Sequence, residues 1–171
     1  MALTYFGKLY RALNPVYARE PMSGRGAELY GGRFNPKGVP ALYASTSVLT
    51  ALREANQVGN LQPTTLVCYR AEIEMVFDTR DTSALAAAGF DETALADPTW
   101  RDQTTTTGEA RTQRLARQLI AEGYNGLLVR SFAKGAGPGD TNLVLWRWGR
   151  GASSRLTLID DEDRLGPAKP S

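Results

Sequence analysis

From Thr65 to Phe77 the chain alternates apolar and polar side chains: Val67, Tyr69, Ala71 and Ile73 stand against Cys68, Arg70, Glu72 and Glu74. A period of two sends successive side chains to opposite sides of a pleated strand, so this segment predicts a strand with one buried and one wetted face. Such a strand needs neighbours, and shorter candidates follow the same logic. Ala41–Ser45 lies between Pro40 and a Ser/Thr cluster, and 126–130, 142–146 and 155–159 are further apolar runs. Helical signals are fewer. Ser47 suits the N-cap of a helix with Val48, Leu49, Ala51, Leu52 and Ala55 on one broad face. Thr106 and Glu109 stand at capping-box spacing before Leu115, Ala116, Leu119 and Ile120, a helix expected to end before Gly123. The first thirty residues, broken by Pro15, Pro21, Gly24 and Gly26, read as a short strand or helix followed by loop. Residues 78–108 read as loops with one short helix near 91–96. Strands and helices that do not alternate strictly predict an α+β fold, a single domain with a mixed or antiparallel sheet and a few flanking helices. The domain is expected to span 1–160, with 161–171 a loose tail.

A chain of 171 residues can bury roughly 70% of its unfolded surface and needs no covalent staple. No run approaches the ~18 to 20 apolar residues of a membrane helix. The N-terminal residues lack the basic start and apolar stretch of a secretory signal. Cys68 is the single cysteine and can form no internal disulfide, which fits a reducing compartment and a cytoplasmic protein. With 20 basic and 18 acidic residues, the net charge of +2 offers little general attraction for nucleic acid. There is no histidine. That removes Ser-His and Cys-His nucleophile pairs, imidazole acid–base chemistry and imidazole metal sites, and a lone cysteine excludes a thiolate zinc site. Any catalysis must rest on carboxylates, Arg, Lys, hydroxyls or backbone groups, with no metal expected.

Two glycine patterns do not fit phosphate-binding motifs. Gly24-Arg-Gly26 lacks the third glycine and the βαβ setting of a dinucleotide fingerprint, and in 134–139 the lysine precedes the glycines with no helix after them. The segment 29–38, Leu-Tyr-Gly-Gly-Arg-Phe-Asn-Pro-Lys-Gly, is different. Gly31 and Gly32 permit positive φ and close approach of a ligand to the backbone, and Arg33 follows directly. Tyr43 lies on the next strand, Glu54 near the end of the following helix, Ser131 where a later strand finishes, and Asn142 at the start of another.

These residues resemble the RES-domain family, named for an arginine, a glutamate and a serine. Arg33, Glu54 and Ser131 match in order and approximate spacing, and Arg11 matches a further arginine near the start. The similarity covers about residues 5 to 150. It implies a fold similar to that of ADP-ribosyltransferase toxins and a toxin of a bacterial toxin–antitoxin pair whose antitoxin carries an Xre-type helix-turn-helix domain. It also implies NAD as substrate, consumed by hydrolysis, by phosphorolysis or by transfer of ADP-ribose to a host protein. A catalytically inactive module that only docks its antitoxin is the alternative from another class.

The chemistry suits the residues. Nicotinamide leaves NAD as a neutral molecule, so no histidine acid is required. Glu54 is expected to hold a ribose hydroxyl and stabilise the oxocarbenium-like transition state, its alternative being a solvated helix residue. Arg33 would clamp the diphosphate, with Arg11 a second clamp or a ribose contact; the alternative for Arg33 is an ion pair, for example to Glu28. Tyr43 would stack on nicotinamide or else be a core tyrosine. Ser131 would hydrogen-bond the nicotinamide amide or a ribose oxygen, and Ser45 belongs to a Ser-Thr-Ser element that helix capping by Ser47 also explains. Gly32 and Asn142 complete the expected binding set. The antitoxin is expected to set a carboxylate-bearing segment against Arg33 or Arg11. Everything requires Arg33 and Glu54 to face one hollow.

Overall fold

The computed structural model describes residues 2–57 and 59–166. The elements in order are β1 (Ala2–Leu13), a 3-10 turn at Pro15–Tyr17, α1 (Arg25–Tyr30), β2 (Leu42–Ser45), α2 (Val48–Ala55), β3 (Thr65–Asp78), α3 (Thr82–Ala87), α4 (Glu92–Ala96), α5 (Trp100–Thr107), α6 (Arg111–Ala121), β4 (Gly126–Arg130), β5 (Thr141–Leu145) and β6 (Ser154–Leu158). The α+β class and the mixed sheet follow the sequence reading.

The alternating segment is the spine of the sheet. β3 buries Val67, Tyr69, Ala71 and Ile73 and pairs antiparallel with β1 from Leu13↔Thr65 to Ala2↔Phe77. The alternation breaks at Met75, a non-glycine residue at φ +52°. Glu74 and Met75 are both exposed there, and Val76 returns to the core. Asn125 stabilises the irregularity by donating its backbone N–H to Met75 O and its side-chain amide to Glu74 O. On one side of the break Tyr69 to Ile73 pair with β6, and on the other Val76 to Asp78 pair with β4 in parallel. A bulge that re-aims the strand and ends one pairing is the usual use of such a residue. The ladder β1–β2–β5–β4–β3 closes on itself through β1–β3, with β6 appended to β3. The parallel β3–β4 step requires a crossover, which α3 to α6 provide.

β4 and β5 are covered on both faces. Leu128, Leu143 and Leu145 point into the core shared with β1 and β3, while Leu127, Val129, Val144 and Trp146 meet Leu85, Leu95, Leu115 and Leu119 of the crossover helices. Fully burying side chains of this size contributes roughly 1.5–3 kcal/mol each, which makes this two-sided pair the rigid part of the scaffold.

Several local expectations are corrected. β1 is a full strand that continues to Leu13, and the loop after it contains α1. Residues 78–108 contain α3 and α5 as well as the expected α4; Asp81 and Asp91 cap α3 and α4 by accepting from Ala84 N and Ala94 N. Thr106 belongs to α5 and forms no capping box. Instead Gln113 Oε1 accepts from Ala110 N at 2.9 Å at the start of α6. The far end of α6 closes as expected: Gly123 N bonds Ile120 O and Tyr124 N bonds Leu119 O, with Gly123 at φ +94°. Ser47 caps α2 by accepting from Thr50 N, but Leu49 is 63% exposed, and Thr50 and Ala51 form the buried face. Residues 160–166 form turns in which the Asp160 carboxylate accepts from Arg164 N and Leu165 N. The rest of the expected tail, 167–171, lies outside the described residues. Among the described residues no helix is long and apolar enough to cross a membrane.

Candidate functional site

Strand register builds one wall of the site. Tyr43 stands opposite Val144, and Ser45 opposite Asn142, across the β2–β5 ladder. Directly opposed residues share a sheet face, so these four project together. α2 leaves the end of β2 and brings Glu54 over that face. Glu54 Oε1 accepts from Asn142 Nδ2 at 2.6 Å and from Ser131 Oγ, and Oε2 accepts from Gln57 Nε2 at 2.8 Å. Ser45 Oγ donates to Asn142 Oδ1 at 2.7 Å, which turns the amide NH₂ toward the carboxylate. Ser45 and Ser131 are each only 2% exposed. Ser131 thus supports the carboxylate from behind, and Ser45 orients Asn142 while also lining the second hollow described below.

Arg33 comes from a tight hairpin in which Gly32 N donates to Asn35 O at 2.9 Å. Side-chain bonds hold this hairpin. Gln113 Nε2 donates to Gly32 O at 2.9 Å, Trp146 Nε1 to Phe34 O at 2.9 Å, Phe34 N to Tyr43 Oη at 3.1 Å, and Tyr43 Oη to Asn35 Oδ1 at 2.6 Å. Burial pushes the Tyr43 phenol well above its ordinary range, so it stays a neutral donor. The glycines divide the work differently from expectation. Gly31 takes the positive φ, +73°. Gly32 is required by packing: a Cβ there would lie 2.5 Å from Tyr43 Oη and 2.7 Å from Asn35 Oδ1. The space that a Cβ would take at Gly32 is filled by Tyr43 and Asn35.

The Arg33 guanidinium donates from Nη1 to Asp97 O at 2.8 Å and Leu95 O at 3.2 Å, at the end of α4. Its Cζ lies 5.0 Å from the ring centre of Phe132 and 5.9 Å from that of Trp100. Among the described residues it has no ion pair, with Glu28 or any other carboxylate, and its Nε and Nη2 donors make no hydrogen bond. Burial and then the like charge of Arg101 lower its proton affinity; Glu54, Asp97 and Tyr43 oppose this from longer range.

Arg33, Tyr43, Glu54 and Asn142 line one hollow of about 200 Å³, walled by Phe34, Trp100 and Phe132. A second hollow of about 310 Å³, reaching Tyr10 and Arg11, meets the first at Tyr43, Glu54 and Asn142. Glu54 stands at the junction. The guanidinium and the carboxylate, twenty-one positions apart, do face one space. Arg11 does not join Arg33 there. It follows the strand parity of the core residues Leu9 and Leu13, and Nη1 donates to Pro21 O and Ser23 O at 3.2 and 3.3 Å. It lines the second hollow while its Nη1 anchors the 21–23 loop.

Gln57, Trp100, Arg101 and Phe132 are residues of the hollow that sequence reasoning missed; Gln57, three positions after Glu54, is the one its spacing could have suggested. The glycine-rich loop closes on an acid: Gly137 N, Thr50 Oγ1 and Arg53 Nη1 all donate to Asp140, which these donors hold below the usual carboxylate range. Arg53 is thereby ion-paired, at 3.2 Å. No group of three His, Cys, Asp or Glu side chains suited to a metal occurs among the described residues.

A family model described as the RES domain matches residues 8–164. Toxin Res of Photorhabdus laumondii subsp. laumondii is 48% identical over 46 residues, a stretch that spans 27% of this chain and only 30% of that protein. The crystal structure of the M. tuberculosis MbcT-MbcA toxin-antitoxin complex is similar with a TM-score of 0.65 at 20% identity, covering 93% of this chain and 84% of that one. At that identity the likeness speaks for the fold.

Proposed function

The chain belongs to the RES domain family, and from that premise we propose that it is the toxin of a bacterial toxin–antitoxin pair and breaks the nicotinamide–ribose bond of NAD. The observation that carries this reading is the single hollow shared by Arg33 and Glu54, with the carboxylate held by donors from three different segments. A preorganised carboxylate beside an open space is what stabilises developing positive charge on a sugar.

The C1′–N bond breaks with its electron pair passing to the pyridinium nitrogen, which makes nicotinamide neutral without a proton. Positive charge grows on the ribose C1′ and ring oxygen. Glu54 faces that charge and accepts a hydrogen bond from a ribose hydroxyl through lone pairs that Asn142, Ser131 and Gln57 leave free. Water or phosphate then adds at C1′. Arg33 offers its uncommitted Nε and Nη2 donors to the diphosphate, and its contacts with α4 keep the fork in place. Tyr43, tethered through its hydroxyl, presents a rigid ring edge or face at the junction of the two hollows. Buried Ser131 is a positioning residue: its hydroxyl is committed to the Glu54 carboxylate, and its burial keeps it from reaching C1′ as a nucleophile.

The partner is an antitoxin of Xre type that occludes this cleft; its support is the family membership and the antitoxin bound in the structural neighbour. Incubating the pure protein with labelled NAD, with and without phosphate or cell lysate, separates free ADP-ribose, a phosphorylated product and a labelled protein band. Glu54→Gln is expected to lower the rate by ~10²- to 10³-fold, the usual effect of removing one preorganised electrostatic group. NAD left intact by the wild type, or consumed equally by both proteins, refutes the proposal.

A further inference from the structure

The hollow beside Glu54 is lined by three guanidinium groups, Arg33, Arg101 and Arg130, and by a single carboxylate, Glu54 itself. Arg130 is neutralised from outside by Glu92 at 2.7 Å. Arg33 and Arg101 have no carboxylate at ion-pair distance among the described residues. Asp97, the nearest acid on the α4–α5 turn, is engaged by Thr99 N, Thr99 Oγ1 and Gln103 Nε2. Both arginines lie against the indole of Trp100, with Cζ at 4.5 Å for Arg101 and 5.9 Å for Arg33. An aromatic face beneath a guanidinium fixes its plane and leaves its edge N–H groups available, the arrangement that suits two-pronged contact with phosphate oxygens.

We propose that Arg101, set on Trp100 beside Arg33, completes an anion subsite that grips the diphosphate of the dinucleotide and makes the enzyme select phosphorylated substrates. The identity of the ligand rests on the NAD reading above; the anion subsite itself does not. Burial first, and then the like charge of Arg101, lower the proton affinity of Arg33, and a bound diphosphate relieves the repulsion between the two cations while supplying acceptors to both. The α4–α5 turn is stiffened by the Asp97 bonds, so Arg101 is presented rather than recruited. Glu54 lines the same hollow and also the second one, so a diphosphate held by the arginines leaves the ribose within the space that Glu54 borders.

Pyrophosphate is the probe, titrated calorimetrically into the wild type, Arg101→Gln and Arg101→Lys at low salt. Charge-assisted bonds of this kind lead us to expect binding about ten- to a hundredfold weaker in the Gln variant, partly restored by Lys. With NAD, KM is expected to rise by a similar factor while kcat changes little, and the loss with NAD should exceed that with nicotinamide riboside, which lacks phosphate, by at least about tenfold. No pyrophosphate binding by the folded wild type, equal binding by wild type and Arg101→Gln, or equal losses on NAD and the riboside would each overturn the proposal. Weakened pyrophosphate binding in the variant, together with a wild type that leaves NAD intact, would keep the subsite and remove the NAD reading.

Discussion

Asn142→Asp changes one atom at the centre of the site and has a calculable cost. Asn142 Nδ2 lies 2.6 Å from Glu54 Oε1, and Ser45 Oγ donates to its Oδ1. The variant keeps the shape and the bond from Ser45 but replaces a donor facing a carboxylate with a second carboxylate. At that separation and an effective dielectric near 20, repulsion between the two charges is about 6 kcal/mol. The pair can escape by taking up one proton, which at pH 7, for a carboxyl that ordinarily titrates near 3.9, costs about 4 kcal/mol. The cheaper route governs, and solvent reaching the half-exposed pair reduces it further, so ~2–4 kcal/mol of stability is expected to be lost at neutral pH. For a chain of this length that lowers Tm by about 5–15 °C.

The sign with pH is fixed. Folding raises the proton affinity of the introduced carboxyl, so the variant matches the wild type most closely below about pH 4, where the unfolded chain is protonated too, and its deficit grows as pH rises. Asn142→Ala is the control. It removes one donor and leaves Ser45 without its acceptor, a cost of ~1–3 kcal/mol that brings in no second charge. Thermal melts of the three proteins between pH 4 and 8 give the answer. A deficit of Asn142→Asp that is flat across that range, or equal to that of Asn142→Ala throughout, would show that the Asn142–Glu54 contact is not the close pairing described.

Gly32→Ala forces a methyl group to 2.5 Å from Tyr43 Oη, breaking the Tyr43–Asn35 and Phe34–Tyr43 bonds; a loss of ~2–4 kcal/mol is expected by chemical denaturation, and unchanged stability would contradict the packing. Asp140→Asn removes a carboxylate whose proton affinity is lowered by Gly137 N–H, Thr50 and Arg53. The wild-type acid adds stability above its unfolded value that fades as pH falls through the lower folded one, so the variant's melting temperature should vary less between about pH 2 and 5, and parallel curves would refute that role.

Much of the fold was legible because it rests on local rules. Ser47 as an N-cap, the alternation of β3 and the glycine end of α6 each depend on a few neighbouring residues. The closeness of Arg33 to Glu54 was legible only through the family pattern, since no spacing rule brings a hairpin tip to a helix twenty-one positions on. What stayed hidden has physical reasons. Trp100 and Arg101 sit in a polar, threonine-rich stretch whose helix α5 buries no residue and so leaves no periodic apolar trace. The bonds from Arg11 to the carbonyls of the 21–23 loop were not legible, because they join β1 to a loop that no spacing rule brings beside it. Thr106 and Glu109 had capping-box spacing, yet Gln113 serves α6 better because the same amide also reaches Gly32 O.

That double duty points to where the precision of the site comes from. α2 is a short helix, and alone it could not fix a carboxylate to within a few tenths of an ångström. Its partners are fixed by the ladder instead. Ser45 pairs with Asn142, Asn142 with Val129, and Ser131 follows β4 directly, its N–H bonded to Asp140 O. A slip of one residue between β2 and β5 would turn Asn142 and Val144 to the opposite face and bring Leu143 beneath Glu54. Such a slip is opposed by the leucines of β4 and β5, which would lose both of their packed layers at once. The hydrophobic pattern that specifies the sheet therefore also specifies the hydrogen-bond donors on the carboxylate, and core variants in β5 should disturb catalysis through Glu54 even when every polar residue of the site is intact.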